Sequence, residues 1–475
     1  MNVCLTIALM ALSTAQAKEA PATAADIVTF ATVAADENSV RLTVSPQSAP
    51  VPSLRYSLLP PMSERRPGNA AILYHKAGIN FDSQPLDAFY EKFDAWLNEP
   101  NERMPKDELR TLLDTYRTVL ETVELAARRE QCDWQFPLGE QNLMTLLLPE
   151  VQLCRTYARL LQLKARLQIA EGKLDDALRT LQCSFALARH VSEGPTLINA
   201  LVGQAIVGVT FATLQEFIQA PGAPNLYWAL SRLPRPMIDL RRAIEVEMAF
   251  VYLSYPRLND VENSTRTAAE WDATLNDLFE ILALGSTNKL QAAGERLALG
   301  LRGYPIAKQR LIDRGTPRDQ VEQMPVAQVL LIEVLHTYDE LRDEIFCWAL
   351  LPYAEAAPFM LKADQRLIEQ GRQREIIPLA SMLLPAINAS RSAMVRGDRN
   401  LAALRNVEAI RLHAAAHEGR LPAQLSDIVD VPVAVDPVNG QAFAYRVDGD
   451  TATLSVTKSI TPVDIGFPYI IRLKP

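Results

Sequence analysis

The stretch Pro149 to Gly172, PEVQLCRTYARLLQLKARLQIAEG, constrains this chain more than any other. Val151, Cys154, Ala158, Leu161 and Ala165 recur at three and four residues and make one apolar stripe, while Leu153, Tyr157, Leu160 and Leu167 make a second. A helix with one stripe can lie on a surface, whereas two stripes require neighbours on two sides. A stacked array of helical hairpins meets that requirement, because each unit buries its faces against the units before and after it. Gly172 ends the helix, and Leu174 to Arg189 begins the return, with Ala177 small enough for close contact.

The rest of the chain is consistent with a mostly α protein: an irregular α-solenoid or helical-hairpin array, or else an irregular α-bundle. Residues 18–67 are rich in Ala and Pro and contain the alternating run SVRLTVS, which suits an extended or β N-terminal arm. Residues 68–385 form the expected helical body. Within it, PKDELRTLLDTYRTVLETVELAARR reads as one helix opened by Pro105, with Leu109, Leu112, Leu113, Tyr116, Val119, Leu120 and Val123 on its buried face. Leu233-Pro234-Arg235-Pro236 breaks the chain between helices, and Thr316 caps a new one with Pro317 at its first position and Asp319 in its first turn. Residues 386–475 comprise a long helix and a small β module. Phe443, Tyr445 and Val447 alternate before Asp448-Gly449, and Leu454 and Val456 after it, so a hairpin is expected there.

Gly194 to Ile218 is almost uncharged and nearly long enough to span a bilayer. Asn199 and Gln204 near its middle would each need a partner in lipid. Ala200, Gly203, Ala205, Gly208 and Ala212 offer small surfaces for close packing, so the segment reads as a buried central helix, with a membrane-associated role as the alternative.

The turn GKLDDAL, Gly172 to Leu178, resembles the turn and second-helix start of a tetratricopeptide repeat. Gln168 and Lys164 stand where that repeat usually has an aromatic and a leucine. A fainter echo lies in LDAFYEKFDAWLNEP, at Ala88, Ala95 and Pro100. The stretches SLLPPMSERRPGNAA, LLLPEVQLCRTYARLLQLKARLQIAEGKLDDALRTLQ, APNLYWALSRLPRPMIDLRRAIEVE, MPVAQVLLIEVLHTYDELRDEIF and EAIRLHAAAHEGRLPAQLSDI resemble those of a family of uncharacterised exported bacterial proteins. That resemblance implies secretion and a helical, repeat-like body, and no activity. Helix, GRLP, a DP turn and a hairpin are similar to the C-terminal half of type II secretion pseudopilins, although the methylation motif and hydrophobic stem of those proteins are absent.

The first residues fit the same picture. An apolar run from Val3 to Leu12 followed by Ala15-Gln16-Ala17 reads as a signal peptide, residues 1–17, cleaved after Ala17, which places the protein in the periplasm or outside the cell. The net charge of -8, with Lys and Arg interspersed among acids, argues against a nucleic-acid partner. Cys132, Cys154, Cys183 and Cys347 remain after cleavage. In an antiparallel hairpin turning at Gly172, Cys154 sits about 12 Å out of register with Cys183 at about 1.5 Å per residue, too far for a bridge. Buried free thiols are the expectation.

Chemistry is harder to find. No Gly-rich phosphate loop, GxGxxG, HExxH, CxxC or GxSxG occurs. His413 and His417, four apart, share a helix face but have no third ligand at recognisable spacing, so they read as a solvated helix end. His336 with Glu333, Glu340 and Asp343 could form an acid–base cluster or an ordinary charged helix surface. His190, beside Arg189 near a helix C-terminus, reads as a cation complementing the helix dipole. No catalytic, cofactor-binding or metal-ligating residue is assigned, and no cofactor. The leading expectation is a non-enzymatic binding or scaffold protein of the cell envelope, taking a protein or peptide partner in a helical groove. The alternatives are an enzyme with a site between the helical body and the C-terminal module, around His336 or His413, and a membrane-associated component using residues 194–218.

Overall fold

The computed structural model describes residues 39–81, 92–93, 95–97, 99–139, 143, 148–282, 289–457 and 467–474. The expected leader at 1–17 and Ala88 of the fainter repeat echo lie outside them. Among the described residues the chain is 64% helical with 16 α-helices, and a few strands gather near the N-terminus and in a small C-terminal module. The chain forms two compact units. One holds Ile244–Ser390 with Pro137–Leu147; the other joins Ala25–Phe136, Leu148–Ala243 and Arg391–Pro475. Residues of the expected body at 68–385 therefore fall in both units, while residues 39–67 and 391–474 fall in one.

In the unit that holds Ala25–Phe136, strand β1 (Val40–Val44) and β2 (Arg66–Asn69) precede α1 (Ala70–Phe81), α2 (Lys106–Thr115), α3 (Arg117–Ala127) and β3 (Arg129–Gln131). The single helix expected from Pro105 is thus two, separated at Tyr116 (φ -96, ψ 17), whose ring is buried and stacked on Phe81 at 5.2 Å. Burial of that large ring outweighs the cost of a local kink. Next come α4 (Pro149–Ala170), α5 (Leu174–Ser192) and α6 (Leu197–Gln219), which pack on one another.

Both stripes of α4 do what their spacing requires. Val151, Cys154, Ala158, Leu161 and Ala165 are buried, as are Tyr157, Leu160 and Leu167, with Leu153 half-buried. Each large aliphatic chain removed from water in this way contributes about 1.5–3 kcal/mol. Gly172 has φ +71 at the turn, a conformation that a Cβ disfavours, and Ala177 is fully buried. Gly203 lets α6 approach α5 so closely that a Cβ there would stand 2.8 Å from the carbonyl oxygen of Ala188. At the start of α6, Thr196 and Asn199 form a reciprocal capping box. By length and composition α6 could cross a membrane; 67% of its apolar window, of mean hydropathy 1.8, is buried against protein. Gly208, expected at a helix contact, is exposed with open space around it.

The C-terminal hairpin forms as its alternation implies, from β4 (Ala444–Asp448) and β5 (Thr451–Ser455) around Gly449 at φ +59. A third strand, β6 (Tyr469–Leu473), goes beyond that expectation. It pairs antiparallel with β5 and parallel with β1, giving a four-stranded sheet in the order β1-β6-β5-β4. The alternating run at Val40–Val44 is therefore not a free arm. Leu42 and Val44 are buried in the same sheet as Tyr469 and Ile471.

The other unit is built on α7 (Ala268–Ile281), α8 (Lys289–Asp313), α9 (Val326–Phe346) and α10 (Tyr353–Arg374), with α9 packed against the other three. The helix expected after Thr316 begins at Arg318, and no side chain caps it. Pro317 itself occupies the cap position there. The final long helix, α11 (Pro385–Ala416), runs from this unit into the one holding the sheet.

Candidate functional site

Each histidine singled out in the sequence has a definite neighbourhood. His190, expected as a cation, lies fully buried near the end of α5, and burial first, then the adjacent Arg189, drives its pKa down to about 3. It is a neutral imidazole at physiological pH. Its Nδ1 is 3.0 Å from the Tyr74 hydroxyl, and its carbonyl accepts from Trp134 Nε1 at 2.8 Å. The Tyr74 ring stacks on Trp134 at 5.8 Å and on Tyr157 at 6.5 Å. Glu193, held by Arg189, accepts from the Cys132 amide at 3.2 Å. Burial raises the Cys132, Cys154 and Cys183 thiols, the last to about 12, so they stay protonated and unreactive. These three thiols are free and buried as expected; Cys347 is free but exposed. The cluster joins α1, α4 and α5 in a closed polar–aromatic core. A cavity lined in part by Phe185, Arg189, Pro234 and Met237 has room for about 10 Å³, one water at most.

Of the two readings of His336, the ordinary ion pairs form and the acid–base cluster does not. Glu333, one helical turn away on α9, is buried and accepts from Arg310 at 2.9 Å, from Arg314 and from Thr337. Glu340 is taken by Arg314 and Arg374, and Asp343 by Arg342. His336 is left with Glu262, at 2.5 Å and partly exposed. Charge pairing across helices separates groups that the helical spacing alone would unite.

The C-terminal half of α11 carries a polar network that sequence reasoning missed. From Leu401 to Ala414 all residues but Arg405 are buried. Arg411 donates to the Glu408 carboxylate at 2.8 Å and to the carbonyls of Ser45 and Ala223 at 3.0 and 2.8 Å, while Glu408 accepts from the Leu226 amide at 3.0 Å. Asn406 makes two bonds with the main chain of Ala434, and Arg399 pairs with Asp436 at 3.0 Å. These side chains bind main-chain groups of three separate segments to one helix. No short motif signals this, because each of those main-chain partners lies 28 to 366 residues away in sequence.

His413 also corrects the solvated reading. It is only 6% exposed, whereas His417 is exposed, and their rings stack at 3.9 Å and 14°. Exposed apolar side chains occur on α1, where Ile72 and Ile79 are 66% and 74% exposed on the same face, flanking His75 and Lys76. Comparison with family models, with characterised proteins and with solved structures finds no match for this chain.

Proposed function

We propose that this chain is an exported, non-enzymatic binding or scaffold protein of the cell envelope, and that its helical array holds a protein or peptide partner. The observation that carries this reading is the helical array in which α1 packs on α3 and α4 while keeping Ile72 and Ile79 in water. Two isoleucines two turns apart on one face form an apolar ridge of the kind a partner helix or peptide covers. The resemblance of Gly172 to Leu178 to a tetratricopeptide turn supports the same reading by analogy of fold. The rival enzymatic reading is less well supported, since the titratable groups around His336 are dispersed into ion pairs.

The test is capture from an envelope fraction by the chain lacking residues 1–17, beside its Ile79→Lys variant. The variant should retain parental stability within about 0.5 kcal/mol, as exposed sites do, and lose the specific partner. Equal capture by both would remove the α1 face from the proposal. Export has its own check: N-terminal sequencing of the mature protein should begin at or near Lys18. The membrane-associated alternative rests on α6, and resistance of the protein to alkaline carbonate extraction would promote it.

A further inference from the structure

The exposed face of α1 carries charge of one sign beside its apolar ridge. Ile72, His75, Lys76 and Ile79 are exposed and recur at three and four residues, so they share one side of the helix. No acidic residue occurs between Ala70 and Phe81. The His75 ring meets Trp134 edge-on at 5.9 Å, which leaves Lys76 as the cation standing between the two isoleucines. At the N-terminal end of α1, the paired strands β2 and β3 add Arg66 and Arg129. The Arg66 guanidinium donates to the carbonyls of Ser63 and Arg65 at 3.4 and 3.1 Å, and that of Arg129 to the Pro67 carbonyl at 2.5 Å. A carbonyl does not cancel a charge, and none of Arg66, Lys76 and Arg129 forms an ion pair among the described residues. Glu130 is the one acid in β2, α1 and β3, and strand alternation turns it to the face opposite Arg129.

We propose that the occupant of this face is an acidic amphipathic helix, an inference that rests on the partner-binding reading of α1 given above. The apolar stripe of that helix covers Ile72 and Ile79, and its carboxylates lie opposite Lys76, Arg66 and Arg129. An amphipathic helix presents its anchors at i, i+3, i+4 and i+7, the same spacing that α1 exposes. Burial of the isoleucines supplies the attraction. The sign of the charge selects the partner, because like charges set against each other across an interface are unfavourable. A basic helix would bring its cations against Lys76, which has no carboxylate on α1 to offset it. The chain as a whole carries a net charge of -8, so the rest of the surface repels an acidic partner and directs it to this basic face.

The experiment titrates the full chain into two fluorescein-labelled peptides of about 18 residues, long enough to form a helix alone, and follows anisotropy. Both peptides carry the same leucine stripe; one has glutamate and the other lysine on its polar face. The parent should bind the glutamate peptide about tenfold more tightly than the lysine peptide. That preference should shrink as salt shortens the screening length from about 30 to about 8 Å. Lys76→Glu, at an exposed site that leaves folding intact, should abolish the preference, and Ile79→Lys should weaken both peptides. Equal binding of the two peptides by the parent would overturn the acidic partner while leaving the ridge as a binding surface. Binding of neither peptide would also overturn it, and Ile79-dependent capture from the envelope would then still support the broader reading. Self-association of the parent that Ile79→Lys abolishes, seen by gel filtration without peptide binding, would assign the face to a second copy and overturn the proposal.

Discussion

Two helices of the larger unit, α6 and α11, teach opposite lessons about how a helix becomes central. α6 has a single charged residue, Glu216, in 23 and reads as a buried central helix, and it is mostly buried, although Gly208 reaches solvent. α11 carries the charged residues Arg399, Glu408 and Arg411, yet those three side chains are at most 1% exposed. The first is buried because its surface is apolar. The second is buried because it pairs the polar groups of the segments packed around it, and a buried charge is tolerated only when its partners are in place.

The sharpest way to break this contrast is to remove one partner on α11. Arg411→Ala should cost about 3–5 kcal/mol, because it leaves the Glu408 carboxylate buried without its cation and orphans the carbonyls of Ser45 and Ala223. Equilibrium urea unfolding measures this, and a loss below about 1 kcal/mol would mean the network is dispensable.

A titration tests the neighbouring polar core on α5. The folded-state pKa of His190 is near 3, far below its unfolded value of about 6.5, so the unfolded chain binds the extra proton. His190 therefore contributes full stability above pH 6.5, and that contribution falls as pH drops from about 6.5 to 3. The loss is of order 4 kcal/mol by the free energy of one pKa unit. Asp398, raised to about 6 by burial, acts in the opposite sense and partly masks the loss in the whole protein. The difference in stability between the parent and His190→Gln, followed from pH 7 to 4, isolates the histidine. A flat difference would place that imidazole in water.

The smallest of the three effects belongs to α6. Gly203→Ala pushes a methyl against the Ala188 carbonyl and the Ser192 side chain and should cost about 1–3 kcal/mol in thermal or urea unfolding. An unchanged melting temperature would show that α5 and α6 have room to separate, and the close contact would lose its role.

How far the sequence speaks follows from which signals are local. Helical periodicity made the two-sided burial of α4 legible, the turn at Gly172 followed from a glycine at a left-handed position, and the β4–β5 hairpin followed from alternation around Asp448-Gly449. The kink at Tyr116 was hidden, since the ring stacks on Phe81, a residue distant in sequence. The state of His190 was hidden for the same reason, because Tyr74 and Trp134 are 116 and 56 residues away.

The amino-acid sequence by itself determined where helices and the hairpin form, because apolar periodicity and turn chemistry act over a few residues. Tertiary structure alone decided that Val40–Val44 pairs with Tyr469–Leu473, that Glu333 turns from His336 to Arg310 and Arg314, and that Arg399, Glu408 and Arg411 lie in the core. Each of those outcomes is a pairing of hydrogen-bonding or charged groups across the chain. Such groups carry no periodic signature, and their burial becomes favourable only once the distant partner has been brought within about 3 Å.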